Sequence, residues 1–211
     1  MSYIQEENNI LSMLEEYKED RIIKYNLRVT PTLTSDEVIG VSMSNLKKIA
    51  KKIDINITLS DNTFEEIILQ GLIISRYKDI EVVFNMLDNY LYKINNWAVC
   101  DVLTASLKIT IDNEYKMLEY LKSKIINEVY HQRFVIVMLL RYYVKAQYID
   151  EIFSILRRID NEDYYVKMAI AWLLCEIYIS YPVVVDEYLA KCEDSFIVMK
   201  TKSKIRESYR V

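Results

Sequence analysis

Two glycines and two prolines in 211 residues leave few positions for the tight turns that β-rich folds need, so an all-α chain is expected. The same scarcity excludes the glycine-rich loops that cradle phosphates in P-loop and dinucleotide-binding folds. One histidine and three cysteines, Cys100, Cys175 and Cys192, show no CxxC spacing and complete no ligand set, so neither metal nor cofactor is expected. Each cysteine falls within a helical pattern, as reduced, buried thiols of a cytoplasmic protein would. Net charge is −4, so no basic balance announces nucleic acid, and any DNA-binding role would need its cations gathered on one surface. The acidic N-terminus does not read as a signal peptide. The longest uninterrupted apolar run, 134–140, is too short to span a bilayer, so no membrane partner is expected.

What the chain does have is helical periodicity over a length that suits a single domain, 1–211, with an ample core. Residues 1–25 read as one or two amphipathic helices, with Ile4, Leu11, Leu14 and Ile22 apolar and Glu6, Glu7, Glu15 and Glu16 solvated. Thr30-Pro31-Thr32 and Gly40-Val41-Ser42 are breaks. Ser44 is then a candidate cap for a helix over 45–53. Its lysines pair at i,i+4 spacing, Lys47 with Lys51 and Lys48 with Lys52, where like charges repel by about 0.2–0.5 kcal/mol per pair. That face is either simply solvated or made for phosphate. Further helices are expected over 64–72, 79–92, 97–110, 112–124 (Tyr115, Leu118 and Leu121 inward), 130–143 and 149–159. The next, 163–180, is apolar nearly all round; the chain restarts at Pro182, and a basic helix over 196–210 closes it. Helix starts near Trp97, Tyr130, Asp163 and Phe196 recur at about 33 residues, the signature of a solenoid of stacked helix pairs.

Four residues sit oddly for pure packing. Trp97 and Asp101 are one turn apart, on a face continued by Thr104, Ala105 and Lys108, while Val99, Val102, Leu103 and Ile109 form the apolar side. Arg133 directly precedes seven apolar residues, and Trp172 is flanked by alanines. Each has an ordinary alternative: core packing for Trp172, a snorkelling stem for Arg133, an ion pair or surface acid for Asp101. No catalytic triad is present to compete with them.

These residues carry a resemblance. The stretches Asn96-Trp97-Ala98-Val99-Cys100-Asp101, Gln132-Arg133 with the apolar run behind it, Tyr164-Tyr165-Val166-Lys167-Met168-Ala169-Ile170-Ala171-Trp172 and Lys204-Ile205-Arg206-Glu207-Ser208-Tyr209-Arg210 resemble the DNA alkylation repair family, the HEAT-like repeat, AlkD-like alkylpurine DNA glycosylases. The resemblance implies a right-handed curved α-solenoid, an α-α superhelix of HEAT-like helix pairs, gripping duplex DNA as a monomer. It implies Asp101 as the catalytic carboxylate, Trp97 and Trp172 as cleft tryptophans holding the lesion nucleotide, and Arg133 as the cleft arginine on phosphate. Lys47, Lys48, Lys51, Lys167 and Lys204 are candidate DNA contacts, and with Arg133, Lys145 and Arg206 they should gather on the inner surface. The chain departs from the family in having Ser42 where an arginine is common. The implied activity is base excision repair of cationic alkylpurines, 7-methylguanine or 3-methyladenine, in a bacterial-type cytoplasm and at the nucleoid. Two other readings stay open: a non-catalytic member that binds distorted or branched DNA, and a helical-repeat scaffold for protein.

Overall fold

The computed structural model describes residues 3–57 and 59–210, with side chains from residue 9 onward. Met1 lies outside it, as do the side chains of Ile4, Glu6 and Glu7. Twelve α-helices and no strand occur among the described residues, so the protein is all-α. The chain divides into two compact units, Met1–Ile109 and Thr110–Val211.

The first unit holds α1 (Tyr3–Glu15), α2 (Asp20–Val29), α3 (Met43–Lys52), α4 (Phe64–Ile74), α5 (Ile80–Tyr90) and α6 (Trp97–Ser106). α4 is its centre, buried along almost its whole length and packed against α3, α5 and α6. A capping box starts α4: Glu66 N–H donates to Thr63 Oγ1 (3.3 Å) and Thr63 N–H donates to Glu66 (3.0 Å). The α4–α5 approach depends on Gly71, where a Cβ would lie 2.7 Å from the Tyr90 hydroxyl oxygen. That hydroxyl, fully enclosed, donates to the Ile67 carbonyl at 2.8 Å, and burial pushes its pKa upward.

Two boundaries differ from the sequence reading. α3 is capped by Ser42, whose Oγ accepts from Asn45 N–H at 3.4 Å, and Ser44 lies inside the first turn. An extended serine just before the helix can turn its oxygen back onto the orphan amides, which a residue already in the helix cannot. α6 stops at Ser106, and a 3₁₀ segment Lys108–Asp112 follows, so Lys108 is off the face shared by Trp97 and Asp101.

The second unit holds α7 (Glu114–Ser123), α8 (Val129–Tyr142), α9 (Ile149–Leu156), α10 (Tyr164–Ser180), α11 (Pro182–Lys191) and α12 (Ser195–Glu207). α10 is its hub, packed on α8, α11 and α12. The apolar run 134–140 is buried throughout in α8. Carboxylate caps set two starts: Asp163 accepts from Tyr165 N–H at 2.7 Å, and Asp194 from Phe196 and Ile197 N–H at 2.9 and 3.0 Å. Tyr115, expected inward, is 75% exposed; Met117, Leu118 and Leu121 fill the buried face of α7. Cys192 follows the last residue of α11 instead of standing within a helix. The alternate helices α6, α8, α10 and α12 begin at Trp97, Val129, Tyr164 and Ser195, close to the period read from the sequence.

The loop before α3 is held by a device with no local signature. Glu65, fully buried in α4, accepts from the backbone N–H groups of Ile39 (2.9 Å), Gly40 (2.8 Å) and Val41 (3.2 Å). Three amides converge on one carboxylate because Gly40 adopts φ +97°, and its carbonyl accepts from Glu19 N–H at 2.9 Å. A Cβ there would meet Ile23 Cγ1 at 2.4 Å and the Glu19 carbonyl at 2.9 Å. Gly40→Ala is therefore expected to lower stability by at least about 1–3 kcal/mol from backbone strain alone. Urea unfolding of the variant beside the native chain measures it, and an unchanged midpoint would contradict the account.

Candidate functional site

Within the first unit, α6 presents Trp97 and Asp101 one turn apart, both half-buried; Val99 and Leu103 are fully enclosed on the opposite side, and Cys100 and Thr104, which flank Trp97 around the helix, are fully enclosed too. Thr104, read from the sequence as part of the polar face, is interior, its hydroxyl donating to the Asp101 carbonyl oxygen at 3.0 Å. Asn96 caps the helix, its side chain accepting from Val99 N–H at 3.0 Å. Trp97 is anchored by its edge: Nε1–H donates to the carbonyl of Val29, the last residue of α2, at 3.0 Å. The indole is thus fixed in rotation by a residue 68 positions away, leaving its apolar body as contact surface.

α3 carries Lys47, Lys48 and Lys51 exposed on the side away from Leu46, Ile49 and Ala50. Lys48 Nζ donates to Asn45 Oδ1 at 3.3 Å, and no ion pair is recorded for the three among the described residues. The C-terminal end of α3 is held by Arg76, whose Nη1 donates to the carbonyls of Ala50 (2.7 Å) and Ile53 (2.8 Å). The lysine helix is therefore fastened at one end by Arg76 and approached at the other by the Glu65-bound loop.

The second unit holds the other expected residues. Arg133 is 6% exposed and its Nη1 donates to the Tyr165 carbonyl at 2.8 Å, joining α8 to the first turn of α10. Lys167, with its side chain 13% exposed, bridges Glu162 and Asp194, the latter at 2.9 Å. Lys145 is paired with Glu114, which also accepts from Tyr148 Oη at 2.9 Å. Trp172 is half-buried between the enclosed alanines Ala169 and Ala171, with Arg141 over its ring at 5.8 Å from the centroid. Trp172 and Lys204 line one cleft of about 380 Å³ together with Glu176, Ile179, Ser208 and Arg210. Sequence reasoning passed over Arg141, Glu176 and the Val29 carbonyl. Only Asn96 had a legible signal, a cap residue placed just before a helical run.

No three His, Cys, Asp or Glu side chains come together as a metal site among the described residues, and no helix there is long and apolar enough to cross a membrane.

An all-α chain with a carboxylate and an indole one turn apart, lysines on another helix of the same unit and a second tryptophan beside cations has the makings of a nucleic-acid enzyme. The family model for DNA alkylation repair enzymes matches residues 10–209, and the chain belongs to that family. No curated protein matches it. Membership makes it a DNA-repair protein with DNA as its partner.

The Lys167–Asp194 pair yields a pH prediction. The hydrogen bond from Lys167 holds the Asp194 carboxyl below the usual carboxylate range, helped by the Ile197 and Phe196 amides. A carboxyl depressed in the folded state adds stability above its unfolded value, about 4, and that contribution is lost as pH falls through the lower folded value. Asp194→Asn keeps a capping oxygen and removes the charge. Urea unfolding should find it less stable than the native chain at pH 7, with the gap shrinking below about pH 4. A gap unchanged by acid would mean that the charge contributes nothing.

Proposed function

We propose that the protein is a monofunctional DNA glycosylase that hydrolyses the N-glycosidic bond of cationic alkylated purines, such as 7-methylguanine and 3-methyladenine, in duplex DNA. The observation that carries the reading is the Trp97–Asp101 pair, half-buried on a helix whose other side is enclosed, in a chain matched over 10–209 to DNA alkylation repair enzymes. An N3- or N7-alkylated purine is already positively charged, so it departs without a strong general acid. What remains is an oxocarbenium-like sugar, as in glycoside hydrolysis.

Asp101 supplies a carboxylate to stabilise that cation and to orient the attacking water. Trp97 and Trp172 hold the cationic nucleotide by cation–π attraction. Arg133, buried and bonded to the Tyr165 carbonyl, contacts phosphate by exchanging partners when the strand arrives. Lys47, Lys48, Lys51 and Lys204 hold the strand electrostatically. Lys167 joins them only by exchanging Glu162 or Asp194 for a phosphate. The curved superhelix of helix pairs over 1–211, acting as a monomer, belongs to the same proposal. Stacking of alternate helices within each unit supports it: α4 on α6 in the first, α8 on α10 and α10 on α12 in the second.

Release of methylated base from duplex DNA tests the reading. The native chain should release it, and Asp101→Asn should lose about 10²–10³ in rate while keeping its DNA affinity. Binding without release by the native chain would favour a non-catalytic DNA-gripping protein. No binding even at low salt would leave a protein scaffold, because phosphate contacts strengthen as salt falls.

A further inference from the structure

α3 and α4 pack side by side and run in the same direction, an arrangement that helix dipoles alone disfavour. The direction follows from two sets of hydrogen bonds. In the first turn of α4, Glu65 accepts from the backbone N–H groups of Ile39, Gly40 and Val41, just before α3. Beyond the last turn of α4, Arg76 Nη1 donates to the carbonyls of Ala50 (2.7 Å) and Ile53 (2.8 Å), at the end of α3. Parallel helices bring their positive ends together on one side and their negative ends on the other. The Glu65 carboxylate stands among the positive ends and the Arg76 guanidinium among the negative ones, so each charge has the sign its place requires. The lengths agree as well: the 10 residues of α3 and the 11 of α4 span roughly 15 and 16 Å at about 1.5 Å per residue.

α3 needs this support. A helix of 10 residues is marginal by itself, and its lysine pairs at i,i+4 spacing repel. Its last carbonyls have no partner within the helix, and the two groups that Arg76 takes bracket Lys51 and Lys52. We propose that Arg76 and Glu65 are positioning residues for DNA binding: from opposite ends of α4 they hold α3 helical throughout, so that Lys47, Lys48 and Lys51 meet the strand as a fixed row of cations. Neither residue touches DNA. Glu65 is fully buried, and Arg76 is half-buried with Nη1 committed to the α3 backbone. Because α3 is ordered on folding, less freedom is lost when the phosphates arrive. This role rests on the reading of the α3 lysines as phosphate contacts.

The test is binding of a methylated duplex by the full chain across a salt series. Lys47→Ala, Lys48→Ala and Lys51→Ala made together should lower the log–log salt slope by about 3, one for each phosphate contact removed. Arg76→Met should weaken low-salt binding roughly 10-fold in the native background, but less than about 2-fold in the triple-alanine background, because its effect passes through the lysines. Arg76→Lys, which keeps the charge, should recover binding to within about 3-fold of native. Should Arg76→Met fail to fold, Arg76→Gln, which keeps a donor for one carbonyl, should show the same dependence on background with a loss of about 3-fold. An equal loss in both backgrounds would overturn the positioning role, since a residue that touched the strand itself or supported the fold at large would behave that way. With the slope lowered by the three alanines, that result leaves the lysine contacts standing. A native slope in the triple variant would remove α3 from the DNA and overturn both.

Discussion

A helix that is apolar nearly all round has to be surrounded, and the second half of the protein is built on that requirement. α10 offers no polar stripe to water along its middle, so α8, α11 and α12 must all lie against it. α8 repeats the condition through 134–140. Polar chemistry is then pushed to the ends of these helices and to the seams between them, which is where every candidate residue of this unit stands. Arg133 is in the second turn of α8 and bonds to the first turn of α10; Lys167 meets the cap of α12; Trp172 borders the α10–α12 cleft. Burial thus does more than stabilise: it selects the few places where a charged or aromatic group can serve a ligand.

The fold was largely legible because helical period and end signals are local. Thr63 with Glu66, Asp163, Asp194 and Pro182 all mark true helix starts by rules that act within four residues. Errors fell where two local signals competed. Two serines flank Met43, and only backbone conformation decides that Ser42 caps. Tyr115 fits the apolar spacing of α7 as well as its neighbours do, yet tyrosine tolerates water at its polar end, and Met117 takes the interior instead. The same swap changes the meaning of Ser42: where the family often has arginine, this chain has the cap of its lysine-rich helix.

The candidate site was legible in part, for a related reason. Trp97 and Asp101 lie four residues apart, so helical geometry alone puts them on one face, and the burial of Val99 and Leu103 opposite them follows from the same count. The partner that orients the indole could not be read. A backbone carbonyl at Val29 has no residue-type signature and is 68 positions distant. Glu65 is the same kind of case. In sequence it is an acidic residue in a first turn, where an exposed carboxylate is ordinary; in the fold it is fully buried, receiving three amides of a loop 24 to 26 residues away. Long-range hydrogen bonds to backbone fix these groups, and backbone is silent in sequence.

The overall charge of −4 is no obstacle to a DNA partner once distance is considered. At physiological ionic strength exposed charges are screened beyond about 8 Å, so a strand responds to the groups it touches rather than to the total. What counts is how the charges are committed. Many acids are already matched to bases: Glu114 with Lys145, Glu119 and Glu151 with Lys122, Glu162 and Asp194 with Lys167, Glu176 with Arg210. The one-to-one pairs present little field of either sign, while Lys122 and Lys167, each between two carboxylates, leave one negative charge apiece. Among the described residues, the exposed lysines of α3, placed at spacings that repel one another, and Lys204 beside Trp172 have no such partners. Mutual repulsion without compensating acids is a cost to the free protein that an approaching polyanion relieves, and a surface arranged that way favours phosphate over water.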